Sequence, residues 1–134
     1  MKDTLSAGVE TTAAITVDKP RTIDFMGESL RVYATPELVR DIEMTSRNLL
    51  LEHLDEGEDS VGTRVEVDHT GASLLGMTVD INVSISAVEG RLVTFDVTAH
   101  DGIEPVAKGK HTRFVVEVAK LEERLKGKAA KANA

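Results

Sequence analysis

One stretch of this chain reads as a long helix, and it restricts what the remainder can build. Within residues 34–54, ATPELVRDIEMTSRNLLLEHL, apolar side chains recur at helical spacing. At about 100° per residue, Leu38, Val39, Ile42, Ser46, Leu49, Leu50 and His53 share one broad face. Thr35 reads as the N-cap, Pro36 suits the first helical position, and Glu37 complements the positive end of the helix dipole. Glu37, Arg40, Asp41, Asn48 and Glu52 form the opposite, polar side. Glu43 is the exception, a carboxylate beside Val39 and Leu50 at the edge of the apolar sector. Such a group either reaches water or sits in a site that uses it.

Everything after this helix has the period of strands. A first strand is expected before it, over 9–18, and residues 19–33 read as an irregular approach to the helix start. The run 55–60, DEGEDS, reads as a solvated acidic turn. In 61–70, alternation puts Val61, Thr63, Val65, Val67 and His69 on one face. In 77–88 it puts Val79, Ile81, Val83, Ile85 and Ala87 together, and Glu89-Gly90 turns the chain into 91–100, with Val93, Phe95, Val97 and Ala99 inward. The last strand, 106–118, shows Thr112, Phe114, Val116 and Val118 as its apolar face, with Arg113 and Val115 opposite. Strands joined by tight hairpins are antiparallel, so a doubly wound sheet is excluded. A one-faced helix and a one-faced meander bury each other best when the sheet curls round the helix. The expected fold is therefore α+β, a hotdog fold in one domain over 1–120, and residues 121–134 form a polar, basic, flexible tail that begins as a short helix.

Composition narrows the functions. A net charge of −7 argues against nucleic acid as a partner, since phosphate binding needs a basic footprint. Without cysteine there is no disulfide framework, thiol nucleophile or thiolate metal site, and the four histidines show no ligand spacing, so no metal is expected. No run approaches the roughly 18 apolar residues of a membrane span, and the N-terminus lacks a signal-peptide core. A soluble, cytoplasmic protein with no membrane partner is expected.

The candidate chemistry lies in three residues. His69 ends the apolar face of its strand; alone, it is more often a hydrogen-bonded core or rim residue. Thr35 alone is a helix start. Thr35 and Glu43, however, are eight residues apart, about two helical turns, so both can face one groove along the helix. His69 would reach that groove from the strand packed across it. Hydroxyl, carboxylate and imidazole could then form a hydrolytic constellation.

The motifs ATPELVRDIE at 34–43, VGTRVEVDHT at 61–70, VEGR at 88–91, AHDG at 99–102 and GKHTR at 109–113 resemble the fluoroacetyl-CoA thioesterase family of hotdog proteins. The resemblance implies an acyl-CoA thioesterase. It places the family's catalytic residues on Thr35, Glu43 and His69, and its substrate-contacting glycine and arginine on Gly62 and Arg113. It implies a homodimer with active sites near the subunit interface, and coenzyme A as part of the substrate rather than a bound cofactor. The family's aromatic lid residue, six positions before the threonine, is Ser29 here, with Phe25 and Tyr33 nearby. Hydrolysis of some small acyl-CoA is the resulting expectation. The alternative is a non-catalytic hotdog domain that only binds acyl-CoA.

Overall fold

A computed structural model describes all residues, 1–134. The elements run β1 Glu10–Thr16, α1 Thr35–Leu51, β2 Glu58–His69, β3 Thr78–Glu89, β4 Leu92–His100, β5 Pro105–Glu117 and α2 Val118–Ala132. Two single 3-10 turns, Lys19–Arg21 and Glu28–Leu30, carry the irregular stretch ahead of α1. The strands form one antiparallel sheet in the order β1-β3-β4-β5-β2, leaving β1 and β2 as its edges. The α+β hotdog arrangement expected from the element order is the fold. No helix is long and apolar enough to cross a membrane.

The core follows from the two periodicities. Leu38, Ile42, Leu49 and Leu50 of α1 meet Val79, Ile81, Val83 and Ile85 of β3 and Val93, Phe95 and Val97 of β4 in one cluster. Each such side chain contributes roughly 1.5–3 kcal/mol by leaving water. The middle of the sheet and the helix therefore hold each other in register.

Simple alternation fails where the strands bulge. In β2 the register shifts between Gly62 and Arg64, so Thr63 is an extra residue. Val65, Val67 and His69 keep the inward face, but Val61 turns outward and is 41% exposed, and Gly62 takes the inward place. A second bulge between Ile85 and Ala87 pairs Val88, not Ala87, with the inward Val93.

The inward face of β5 is also not the more apolar one. Buried His111, Arg113 and Val115 point to the helix, while Phe114 is 41% exposed on the outer face that the sequence favoured. Asp41 belongs to the polar side of α1 by spacing, yet it is only 5% exposed. The acidic stretch 55–60 is a turn only in its first half, up to Gly57; from Glu58 it is already β2, where Asp59 pairs with Arg47 and Ser60 is buried. The C-terminal segment is helical through Ala132, with no residue of α2 buried.

Gly109 in β5 sits where β2 comes closest. A Cβ there would lie 2.0 Å from the Glu66 carbonyl oxygen and 2.8 Å from the Val67 Cα, both backbone atoms that cannot swing aside. Gly109→Ala should therefore destabilise the fold by about 1–3 kcal/mol, the usual cost of overpacking, read as a lowered midpoint in urea unfolding. An unchanged midpoint would mean that β2 and β5 separate easily.

Candidate active site

The start of α1 sets one half of the site. Ala34, in an extended conformation, is the N-cap, and Thr35 is the first helical residue rather than the cap. The helix has no side-chain cap, which leaves the Thr35 hydroxyl free for another partner. That partner is His69 at the end of β2: Oγ1 lies 2.8 Å from Nδ1. Burial pushes the His69 imidazole below its ordinary value. Its Nε2 is buried and has no hydrogen-bond partner. A neutral ring with one nitrogen on a hydroxyl and the other open is equipped to move a proton.

A cleft of about 540 Å³ opens over this pair, walled by Ile23, Phe25, Tyr33 and Gly71 among others. Phe25 is 79% exposed, so an aromatic ring does stand at the mouth although Ser29 is not one. Tyr33 lies below, buried, with its ring edge-on to His69. Its hydroxyl donates to Asp41, which Arg21 also grips through Nε at 2.9 Å and Nη2 at 3.1 Å. Burial and the Asp41 contact hold the Tyr33 phenol far above its ordinary value, so it remains a donor.

The second half lies two turns along the helix. Glu43 is half-buried, and its Oε1 would be 2.8 Å from a Cβ on Gly62, so the carboxylate fills the space that the glycine leaves. Behind Gly62, buried Arg113 donates from Nε to Ser60 Oγ at 2.8 Å and from Nη2 to the Ser60 carbonyl at 2.9 Å. His111 Nδ1 lies 2.7 Å from the Arg64 carbonyl, which can only accept, so Nδ1 carries the proton and Nε2 faces Arg113 Nη1 at 3.3 Å. Burial and the Arg113 charge hold His111 low. Burial likewise lowers Arg113, opposed by the Glu43 and Asp59 charges.

The structure thus joins Thr35 to His69, and Glu43 to Gly62, Arg113 and His111. It does not join the two groups within one chain: Glu43 is hydrogen-bonded to neither Thr35 nor His69. Sequence reasoning overlooked His111, though its place two residues before Arg113 puts both on one face of β5. It also overlooked Ser60, Arg21 and Asp41, whose roles depend on contacts distant in the chain.

The family model for the fluoroacetyl-CoA-specific thioesterase matches residues 17–119. The chain belongs to the fluoroacetyl-CoA-specific thioesterase family. The fluoroacetyl-CoA thioesterase of Streptantibioticus cattleyicolor is 30% identical over 96% of this chain and 97% of its own. A solved variant of a fluoroacetyl-CoA-specific thioesterase, in complex with fluoroacetate and CoA, superimposes with a TM-score of 0.80 at 30% identity, covering 87% of this chain and 99% of that one. A hot-dog-like protein from Thermanaerovibrio acidaminovorans gives a TM-score of 0.83 at 28% identity over 91% of both chains.

Two histidines held low by burial, the buried His111 and the half-buried His69, make stability depend on pH. Both are held below the unfolded value near 6.5, so below that pH the unfolded chain takes up protons that the folded thioesterase-family domain resists. Their contribution is intact above about pH 6.5 and is lost as the pH falls toward the folded values. Asp59 and Asp101, held low by their hydrogen-bond partners, act only further down, below about pH 4. The urea midpoint should therefore fall between pH 7.5 and 5.5, and fall less steeply in His111→Gln. A flat profile would show that the two rings are protonated as easily folded as unfolded.

Proposed function

We propose that this protein hydrolyses a small acyl-CoA to the free acid and coenzyme A, using Thr35, Glu43 and His69. The observation that carries this reading is the Thr35–His69 contact at the cleft floor, a hydroxyl and a neutral imidazole at 2.8 Å. Membership of a thioesterase family and the likeness to a relative solved with fluoroacetate and CoA give the substrate class. In the reaction water adds its oxygen to the carbonyl carbon, the neutral His69 takes up the proton that water loses through the Thr35 hydroxyl it contacts, and as the bond from carbonyl carbon to sulfur breaks His69 returns that proton to the departing thiolate. The backbone N–H groups of the first turn of α1 have no intrahelical acceptor and suit a developing oxyanion. Gly62 and Arg113 serve the acyl end, Gly62 by leaving space beside Glu43 and Arg113 by facing that carboxylate.

The working unit in this reading is a homodimer, because one chain leaves Glu43 apart from the Thr35–His69 pair. β2 is a sheet edge with free backbone groups, which suits pairing with its own copy. Pairing of two copies along this edge is the way, in this reading, that the Glu43 of one chain reaches the Thr35–His69 pair of the other.

Two experiments test this. Across a panel of short acyl-CoA substrates, free-thiol release should be seen with the wild type and fall about 10²-fold or more in Glu43→Gln, with thermal unfolding little changed. Full activity in that variant would remove Glu43 from the mechanism, and no thiol release from any substrate would leave an acyl-CoA-binding domain. Co-expressing Glu43→Gln with His69→Asn should restore about a quarter of wild-type activity, since mixed dimers keep one intact site of two. No recovery would place all three residues in one subunit's site.

A further inference from the structure

We propose that Tyr33 is the positioning residue of His69, and that the Arg21–Asp41 pair, buried at its Asp41 end, exists to fix Tyr33. The inference rests on the reading of Thr35 and His69 as the reacting pair. A base in a hydrolytic site is normally oriented by a third group, usually a carboxylate on its far nitrogen. His69 has none in its own chain: Nδ1 is taken by Thr35, and Nε2 is buried without a partner. One hydrogen bond to a hydroxyl on a rotatable bond does not set the plane of a ring. Besides the Gly71 backbone, what its own chain offers before any partner carboxylate arrives is packing, and the aromatic neighbour is Tyr33, with ring centroids 6.2 Å apart and planes at 76°. This edge-to-face contact sets the imidazole plane and therefore the direction of Nε2.

Tyr33 can do this only if it is itself immobile, and three contacts make it so. Its backbone N–H donates to the Ser73 carbonyl at 2.8 Å, and an isolated bridge ties it to Thr22. Its hydroxyl is held by Asp41, whose two oxygens are gripped by Arg21. Arg21 is in turn anchored, its side chain to Asp18 at 2.8 Å and its carbonyl accepting from the Ala34 N–H at 2.8 Å. An ion pair with one end buried is a poor way to stabilise a fold, because desolvation of Asp41 offsets much of its attraction to the half-exposed Arg21. Here the pair sits on the helix side that spacing assigns to solvent, and the acceptor capacity that Arg21 leaves on Asp41 goes to the one phenol that touches His69. Placing Tyr33 two residues before Thr35 puts both supports of the imidazole on one short, pinned segment.

The test compares Tyr33→Phe, which keeps the ring and loses its anchor, with Tyr33→Leu, which loses the ring. Steady-state kinetics on the best acyl-CoA of the panel are read beside long-range nitrogen NMR of the His69 imidazole. Tyr33→Leu should lower kcat about tenfold or more with KM nearly unchanged, the signature of a misplaced group. Tyr33→Phe should recover part of that loss. The His69 nitrogens should report one neutral tautomer in the wild type and an average of two in Tyr33→Leu. A folded Tyr33→Leu with wild-type kcat and a wild-type His69 spectrum would overturn the proposal, as would a loss confined to KM, which would make Tyr33 a wall of the acyl pocket. If Tyr33→Leu does not fold, Tyr33→Phe decides alone: a several-fold loss in kcat with a broadened His69 signal supports the inference, and wild-type values in both refute it. A wild type that releases no thiol would sink the hydrolase reading, while the His69 spectra would still decide whether Tyr33 sets the ring.

Discussion

Gly62 and His69 are seven residues apart in β2, an odd spacing that in a regular strand would put them on opposite faces of the sheet. The bulge at Thr63 adds the residue that brings both to the helix side. Gly62 then accommodates Glu43 while His69 meets Thr35, two turns apart on the same helix. The same bulge turns Val61 outward, exposing 41% of a side chain that alternation would have buried. A lost core contact and a disturbed ladder are the cost of placing two site residues on one face.

The molecule divides its labour across the sheet. β3 and β4 give α1 an aliphatic and aromatic surface, with Val79, Ile81, Val83, Ile85, Val93 and Phe95 all essentially inaccessible. β5 and β2 give it Arg113, His111, Gly62 and His69 instead. The two regimes meet at Phe95, which stacks on His111 at 6.0 Å. A buried guanidinium in the second regime is tolerable because Ser60 and His111 use its donors and the Glu43 charge lies nearby.

This division explains what could be read from the chain alone. The helix was legible because its apolar side repeats over many turns, and β3 and β4 because their inward residues are uniformly apolar. The inward face of β5 was not, because apolar count is a guide to the inside only where the inside is oil; His111 and Arg113 made the outer face with Phe114 look like the core side. The bulges leave no reliable mark in sequence, since Thr63 and Ser86 are ordinary strand residues. Asp41 was misplaced for a different reason: its partners Arg21 and Tyr33 come from a stretch with no period at all. Thr35, Glu43 and His69 could be named as candidates from the chain, but spacing could not show that one chain brings only two of them together.

Thr35 shows most directly how site and scaffold trade against each other. A threonine before Pro-Glu would ordinarily cap its helix, with its oxygen accepting a backbone N–H, and losing such a cap costs about 1 kcal/mol. Here the chain enters the helix one residue earlier, Ala34 takes the cap position, and no side chain closes the first turn. Pro36 offsets part of the loss, since it is preorganised for the first turn and has no N–H to satisfy. The first backbone bond of the helix runs from the Leu38 N–H to Ala34, and the hydroxyl that could have capped the turn is held by His69 instead. A helix start built only for stability would spend that hydroxyl on its own cap. It is spent instead on the imidazole, which is the arrangement that the hydrolysis proposed for this cleft calls for.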